Sequence, residues 1–234
     1  MCHMENLHHQ FNRYFVDNGA TEWWLTGLKT TLLVTVLALC IGVVLGLLIA
    51  LIRSTHEQTG KLKLLNIVAR VYLTIIRGTP SMIQILFFYS VIFATVNLNN
   101  IVIGGIAFGI NSGAYVAEIF RSGIMSVDKG QMEAALMSAL TPAQAIRLII
   151  LPQVVYVALP NFGNMLIALI QESSLAYLIG VVDVMGQAKI IDNMSYGAHI
   201  IEVYFAVSLL YWLLSLVTGK CVDLLSGKMG KVLG

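Results

Sequence analysis

The 234-residue chain is far more apolar than a soluble domain, with 58% hydrophobic and only 11% charged residues. Soluble domains carry about 25% charged residues, so a water-soluble globular fold is excluded and lipid is the expected surrounding. The net charge of +2 is small, and we expect no nucleic-acid partner. The positions of the charges are more informative than their sum.

The cysteines and the N-terminal stretch carry no recognisable signal. Cys2, Cys40 and Cys221 show neither CxxC nor metal-ligand spacing, so we expect unpaired thiols and no metal or cofactor site. The stretch from Met1 to Asn18 is polar and rich in His and Asn, unlike a cleavable signal peptide. The first apolar helix is therefore expected to serve as the insertion signal.

Five stretches are apolar enough to cross a membrane, for which a helix needs about 20 residues. Gly42 and Gly46 in the first form a small-xxx-small pair suited to close helix packing. The second is too long for a simple crossing. Gly78 and Pro80 interrupt it, because glycine loosens the backbone and proline lacks an amide donor. We interpret it as one crossing broken near its middle, after a basic amphipathic lead-in. The five stretches are about Leu28 to Ile52, Leu62 to Val96, Ile101 to Phe120, Val154 to Ile170 and Ile200 to Thr218.

The distribution of Lys and Arg predicts the orientation, because cytoplasmic loops carry an excess of both. With the N-terminus outside, eleven of the fourteen basic residues lie on the inner side and three outside. The inner set is Arg53, Lys61, Lys63, Arg70, Arg77, Arg121, Lys129, Arg147, Lys220, Lys228 and Lys231; the outer set is Arg13, Lys29 and Lys189. We therefore predict an extracytoplasmic segment 1–27, a transmembrane domain 28–219 with a cytoplasmic loop 121–151, and a cytoplasmic tail 220–234.

The loop 121–151 is predicted to form two helices. Residues 130–137 are rich in helix formers, and Thr141-Pro142 supplies an N-cap followed by proline at the first helical position. The second helix is expected to run through Ile150 and to end at Leu151-Pro152. A helix-turn-helix rich in small residues at the inner surface suits docking into a groove of another protein.

This loop resembles the EAA loop of ABC importer permeases. The resemblance rests on Glu133-Ala134-Ala135, followed at the expected interval by Ile149, Leu151 and Pro152. The usual pattern has glycine four residues after the second alanine, where this chain has Ala139. In that family the loop docks onto the ATP-binding subunit, so the resemblance assigns ATPase coupling to a set of loop residues. They are Gly130, Glu133, Ala134, Ala135 and Ala139.

The resemblance extends from about Trp24 to Gln187 and is to the polar amino-acid subfamily. The matching segments are Arg77-Gly78-Thr79-Pro80, Asn111-Ser112-Gly113-Ala114-Tyr115 with Glu118 and Arg121, Lys129-Gly130-Gln131, Leu151-Pro152-Gln153, Ala158-Leu159-Pro160 and Ser173-Ser174-Leu175. The subfamily commonly has lysine where this chain has Gln171. The resemblance implies an all-α membrane protein, namely a type I ABC importer transmembrane domain with five transmembrane helices, in the bacterial inner membrane.

The resemblance also implies the function and the partners. The chain would be the permease subunit of an ATP-driven importer, translocating a polar or charged amino acid that an extracytoplasmic binding protein delivers. Its partners would be an ABC ATP-binding subunit dimer and a second permease, identical or related. No GxxxxGK(S/T) loop is present, so the chain is not expected to be the ATPase. The alternatives are a channel or secondary-transporter subunit, a membrane-embedded enzyme, or the same machine carrying an opine, a cystine-like compound or another small zwitterion.

Three polar clusters at membrane depth are candidate substrate contacts, since such groups usually face a cavity or a partner helix. The break can present free backbone groups to a zwitterion, although it can also merely kink a packed helix. Asn111 and Ser112 can instead bond between helices, and Glu172 can instead lie in the outer headgroup region. Glu118 and Arg121 are expected to form an ion pair. The candidate substrate-binding residues are Gly78, Thr79, Asn111, Ser112, Tyr115, Glu172, Ser173 and Ser174.

Overall fold

The computed structural model describes residues 19–233, all of whose regular elements are helical. The helices are α1 (Ala20–Thr59), α2 (Lys63–Gly78), α3 (Ser81–Phe87), α4 (Asn100–Ser126), α5 (Lys129–Met137), α6 (Pro142–Ala145), α7 (Leu151–Glu172), α8 (Val184–Met194) and α9 (Ile200–Leu233). A π-helical turn, Phe88–Ile92, follows α3; a second, Ile146–Ile150, joins α6 to α7; and a 3-10 helix, Ser173–Ile179, follows α7. The predicted segment 1–27 lies outside the described residues as far as Asn18, and its end is the first turns of α1.

Four helices of the described region are long and apolar enough to span a membrane, and the bent pair α2–α3 makes a fifth if it is one span. This agrees with the predicted set of crossings. The helices are longer than the predicted apolar stretches. For example, α1 has 40 residues, which at 1.5 Å per residue is a length of about 60 Å, twice the hydrocarbon thickness. Its polar last turns therefore extend beyond the apolar layer, where its charged residues can be hydrated.

The break between α2 and α3 lies at Thr79 and Pro80, as predicted. Both residues are extended, Thr79 at φ −123° and ψ 145° and Pro80 at φ −64° and ψ 136°, because a residue before proline is driven out of the helical region. The chain turns by 109° between the two helices. This is far sharper than a simple kink, and it leaves Gly78 and Thr79 exposed.

Close packing of α1 on α4 forms the central contact of the fold. Gly42 and Gly46 of α1 face Gly109 and Gly113 of α4, which form a second small-xxx-small pair. A Cβ built on Gly42 would lie 3.2 Å from the Gly109 carbonyl oxygen, and one built on Gly46 would lie 2.8 Å from that of Gly113. The predicted role of Gly42 and Gly46 in helix packing is confirmed. The main apolar core lies beside this contact, around Val34, Phe108 and Ile179.

A four-residue charge network joins the C-terminal parts of α1 and α4. The predicted pair of Glu118 and Arg121 is present at 2.9 Å, and two residues of α1 complete the network. Arg53 pairs with Glu118 and, at 3.4 Å, with Glu57; Arg121 pairs with Glu57 at 3.2 Å. The part that Arg53 and Glu57 play in this network was not predicted, because their partners on α4 are more than sixty residues away in sequence.

The predicted loop helices are present, but the prediction that Leu151-Pro152 ends the second one is wrong. Thr141 caps α6 in a reciprocal capping box with Gln144, and Pro142 occupies the first turn, as expected. The chain then stays helical from α6 into α7. Pro152 has no amide to donate to the preceding turn. The π-helical turn, closed by the Leu151 amide on the Ile146 carbonyl, accommodates this loss without ending the helix.

Ala139 separates α5 from α6 and has a positive φ of 61°. This left-handed conformation is the usual end of a helix and is normally taken by glycine. The turn is therefore the one that glycine makes in the family pattern, but here an alanine adopts it at a cost of roughly 1 kcal/mol. The structure also contains α8, which the sequence analysis did not predict because its eleven residues mix polar and apolar side chains.

Candidate functional site

The break between α2 and α3 is held by the side chain of Gln84, in α3. Its Nε2 lies 2.8 Å from the Ile76 carbonyl oxygen, 3.1 Å from that of Thr79 and 2.7 Å from the Thr79 hydroxyl. Its Oε1 accepts from Asn111 Nδ2 of α4 at 2.9 Å. One buried amide thus satisfies the open end of α2 and ties the break to α4.

Gln84 was missing from the sequence-based candidates. The available signal was a lone glutamine within the apolar run that follows Pro80, since an uncharged polar side chain at membrane depth needs a partner. Its partners are backbone carbonyls of the preceding helix and an amide 27 residues away. Only the bend at Thr79 and Pro80 brings these groups within reach of one side chain.

Arg77 and Tyr115 form the second contact at the break. The Arg77 guanidinium lies 5.9 Å from the centre of the Tyr115 ring, within cation–π range. Both side chains are exposed, so the contact lies on an open face of the molecule. Asn111 and Tyr115 occupy the same side of α4, as predicted, and both contact the α2–α3 region.

Glu172, at the end of α7, lies beside Ser81, the first residue of α3. The neighbouring Gln171 is exposed, and its Nε2 donates to Ser215 Oγ of α9 at 3.2 Å. The third predicted cluster therefore meets the break through Glu172. Elements from the second, third and fourth predicted crossings converge at the start of α3.

Three other candidates lie apart from this junction. Ser112 is buried between α1 and α4, and its hydroxyl lies 3.4 Å from the Ala38 carbonyl oxygen and 3.3 Å from that of Gly109. Ser173 is buried and donates to the Ile170 carbonyl at 2.7 Å. Ser174 is half-buried in the 3-10 helix. Bonds to backbone carbonyls account for the hydroxyls of Ser112 and Ser173.

The predicted coupling residues lie on or beside α5. Asp128 caps this helix by accepting from the Gly130 amide at 2.6 Å. Glu133 and Ala134 are exposed, whereas Ala135 is only 6% exposed. Ala135 therefore packs within this chain, and Glu133 and Ala134 remain for an outside contact. Met137 at the end of α5 is 89% exposed, a surface residue that the sequence analysis did not single out.

A buried carboxylate connects α8 with α9. Asp183 is fully buried; its Oδ1 accepts from the Gly186 amide at 2.8 Å and its Oδ2 from the Tyr211 hydroxyl at 3.1 Å. The next amide, that of Val184, donates to Thr31 Oγ1 of α1 at 3.2 Å. Burial raises the pKa of Asp183 to about 6, against the lowering effect of these hydrogen bonds.

The raised pKa predicts a pH-dependent stability. Because the folded-state pKa lies above the unfolded value, the contribution of Asp183 is fully present below about pH 4 and is lost as the pH rises through about 6, by about 3 kcal/mol in total. We expect the melting temperature of the wild-type protein in detergent to fall by several degrees from about pH 5 to about pH 7.5, and Asp183→Asn to remove most of this fall. Asp223→Asn, at an exposed carboxylate of α9, is the control. An equal slope in wild type and Asp183→Asn would contradict the assignment.

Comparison with known proteins defines the class. Residues 9–231 match the family model described as "Binding-protein-dependent transport system inner membrane component". The L-cystine transport system permease protein TcyL of Bacillus subtilis is 38% identical over 193 residues, covering 79% of this chain and 78% of that relative. The putative glutamine transport system permease protein GlnP of Rickettsia felis is 36% identical over 194 residues, covering 82% and 86%.

Two solved structures have the same fold. An amino acid ABC transporter crystallised with histidines shares 37% identity at a TM-score of 0.78, with coverage of 89% of this chain and 94% of that one. The MetNI methionine ABC transporter in an inward-facing conformation has a TM-score of 0.77 at 17% identity, covering 92% and 99%; at that identity the likeness concerns the fold alone.

The fold and these matches define a membrane-spanning permease component of an ABC importer. The chain belongs to the family of binding-protein-dependent transport system inner membrane components, in its amino-acid branch. It is a multi-pass protein of the bacterial inner membrane and works with ABC ATP-binding and solute-binding partners. Its relatives are permease subunits, and ATP hydrolysis resides on a separate subunit, so the chain itself is not an enzyme.

Proposed function

We propose that this permease translocates a polar or charged amino acid through the junction at which the α2–α3 break, Asn111 and Glu172 meet. The observation that carries the proposal is the convergence of the three polar clusters at Ser81 and Gln84, from crossings far apart in sequence. Polar groups at membrane depth are retained where they line a pathway or bind a partner. Candidate groups on the open side of the junction are Gly78, Thr79, Arg77 and Tyr115, which are all exposed.

The junction offers complementary groups to the two ends of a zwitterion. Arg77 can pair with a carboxylate through its guanidinium, and Glu172 can pair with an ammonium or a cationic side chain. The C-terminal end of α2 adds the partial negative charge of its carbonyls. Broken helices at the midplane of transporters bind cargo in this way. Ser112 and Ser173 do not contact the cargo in this proposal. Their buried hydroxyls bond to backbone carbonyls beside Asn111 and Glu172 and hold those residues in place.

The working assembly is proposed to contain two permeases, identical or related, an ATP-binding subunit dimer and an extracytoplasmic amino-acid-binding protein. Five crossings are few to enclose a pathway, which favours a pair of permeases. Glu133 and Ala134, exposed on α5, would contact the ATP-binding subunit, with Gly130 and Ala139 shaping the two ends of the helix. In the predicted orientation, with the N-terminus outside, α5 lies on the cytoplasmic side.

The direct test is co-purification of this chain from membranes, with mass spectrometry and an ATPase assay on candidate amino acids in the presence of the binding protein. Recovery of an ATP-binding subunit, with hydrolysis stimulated by one amino acid, is the expected result and identifies the cargo. Recovery of the chain alone, without ATPase activity under any condition, would overturn the proposal and favour a channel or carrier.

Glu172 leads us to propose a cationic cargo such as arginine, lysine or histidine. Glu172→Gln removes the charge while keeping the shape of the side chain. We expect uptake of a cationic amino acid to fall about tenfold, the loss of one charged contact of about 1.4 kcal/mol. Glu22→Gln, at an exposed carboxylate in the first turn of α1, should leave uptake unchanged. Unchanged uptake in Glu172→Gln would refute the cationic assignment and leave a neutral zwitterion, such as a cystine-like compound, as the cargo.

A further inference from the structure

A cavity of about 620 Å³ opens between α1, α2 and α4, below the break. Gly78 forms one edge of it, and Arg53 and Glu118 of the charge network lie at the other. Thr74, Arg70 and Arg77 line the wall between them. Its volume is in the range of small-molecule pockets, so an amino acid fits. The cavity is continuous with the proposed substrate site through Gly78.

The cavity has an excess of positive charge. Three arginines and a single glutamate line it, and that glutamate, Glu118, is paired with both Arg53 and Arg121. Neither Arg70 nor Arg77 has a carboxylate within 4.0 Å among the described side chains. Arg53 Nε is buried and has no hydrogen-bond partner among the described residues 19–233. Donors for an anion are therefore present in surplus.

Arg70 and Arg77 are seven residues apart on α2, two helical turns or about 10 Å along one face. Arg77 lies next to the break, where an uncompensated cation is costly and faces a water-filled cavity or a functional partner, and Arg70 lies toward the inner end of α2. Packing does not require them here, because the buried face of α2 consists of Asn66, Ala69 and Leu73. A guanidinium fork binds a carboxylate through two parallel hydrogen bonds.

We propose that Arg70 and Arg77 form a second cargo subsite, below the break, that receives the carboxylate of the amino acid as it leaves the junction. This inference rests on the proposed function. Arg77 lies beside both the junction and the cavity. Arg70 lies about 10 Å further along α2, toward the charge network. A cargo carboxylate passing from Arg77 to Arg70 keeps a counter-charge throughout, so the barrier between the junction and the inner end of α1 is lowered. Cargo without a carboxylate would lack this assistance, and a cationic cargo would gain less from it than a neutral zwitterion, because the same arginines repel a basic side chain.

The test uses the complete transporter, with its ATP-binding subunit and binding protein, in proteoliposomes. Arg70→Gln should lower the maximal rate of uptake about tenfold, the worth of one charge-assisted hydrogen-bond pair, with KM for the delivered cargo little changed because the junction is intact. Arg70→Lys should recover part of the rate. The matched control is Lys63→Gln, one further heptad along α2 and outside the cavity, which should behave as wild type. The melting temperature should be the same in all four proteins, which would show that the Arg70 variants are folded.

Three results would overturn the subsite. The first is a wild-type uptake rate in Arg70→Gln, and the second is an equal loss in Lys63→Gln, which would indicate a general effect of charge. The third is a loss seen in liposomes with anionic phosphatidylglycerol but not in neutral phosphatidylcholine, which would assign the cavity to a lipid phosphate. If the wild-type complex shows no ATP-driven uptake of any amino acid, the proposed function itself fails, and the subsite falls with it.

Discussion

Replacing Glu133 with arginine is expected to uncouple ATP hydrolysis from transport. Glu133 is an exposed carboxylate on α5, a helix capped at its start by Asp128 and ended by the left-handed turn at Ala139. Reversal of a charge at a protein contact costs several kcal/mol. We expect amino-acid uptake in proteoliposomes to fall roughly a hundredfold, equivalent to about 3 kcal/mol, while basal ATPase activity persists.

Gln131→Arg is the matched control for this variant. Residues 131 and 133 are two apart, so they point to different sides of α5, and both are exposed. The control introduces the same guanidinium on the same helix without facing the same partner groove. The ratio of permease to ATP-binding subunit after purification shows whether the variant fails in assembly or in coupling. Wild-type coupling in Glu133→Arg would defeat the docking role of Glu133.

Among the substitutions described, Gly46→Ala is expected to lower the free energy of unfolding the most. Its new methyl group would lie 2.5 Å from Val116 Cβ and 2.8 Å from the Gly113 carbonyl oxygen. Neither atom belongs to the flexible end of a side chain, so α1 and α4 must separate. Overpacking typically costs 1–3 kcal/mol and sometimes more. Because these helices have the most extensive contact of the fold, we expect about 3 kcal/mol and a melting temperature in detergent lower by roughly 10 °C.

Gly227→Ala provides the comparison for Gly46→Ala. A Cβ at Gly227, in α9, meets nothing within 4 Å, and alanine favours a helix over glycine by about 1 kcal/mol. The variant should therefore melt at the wild-type temperature or slightly above it. If Gly46→Ala and Gly227→Ala have the same melting temperature, α1 and α4 do not form a tight contact at Gly46.

The sequence predicted the features that depend on local chemistry. The break follows from Pro80, which restricts Thr79, and the start of α6 follows from Thr141 and Pro142. The same local reasoning was wrong at Pro152, where it predicted a helix end. A proline ends a helix when the lost amide bond has no substitute. The π-helical turn before Pro152 supplies one, and such a turn depends on how the flanking helices are held.

The composition and the order of motifs in the sequence alone determined that this protein is a helical membrane permease and located its break and the two-helix loop between α4 and α7. These properties depend on hydropathy, on backbone restriction at proline and on short motifs, all of which act over a few residues. The tertiary structure alone decided that Gln84 closes the break, that Glu172 meets Ser81, and that Arg53 joins Glu118. Such contacts unite residues tens of positions apart, and their formation depends on the 109° turn of the chain and on the close approach of α1 to α4.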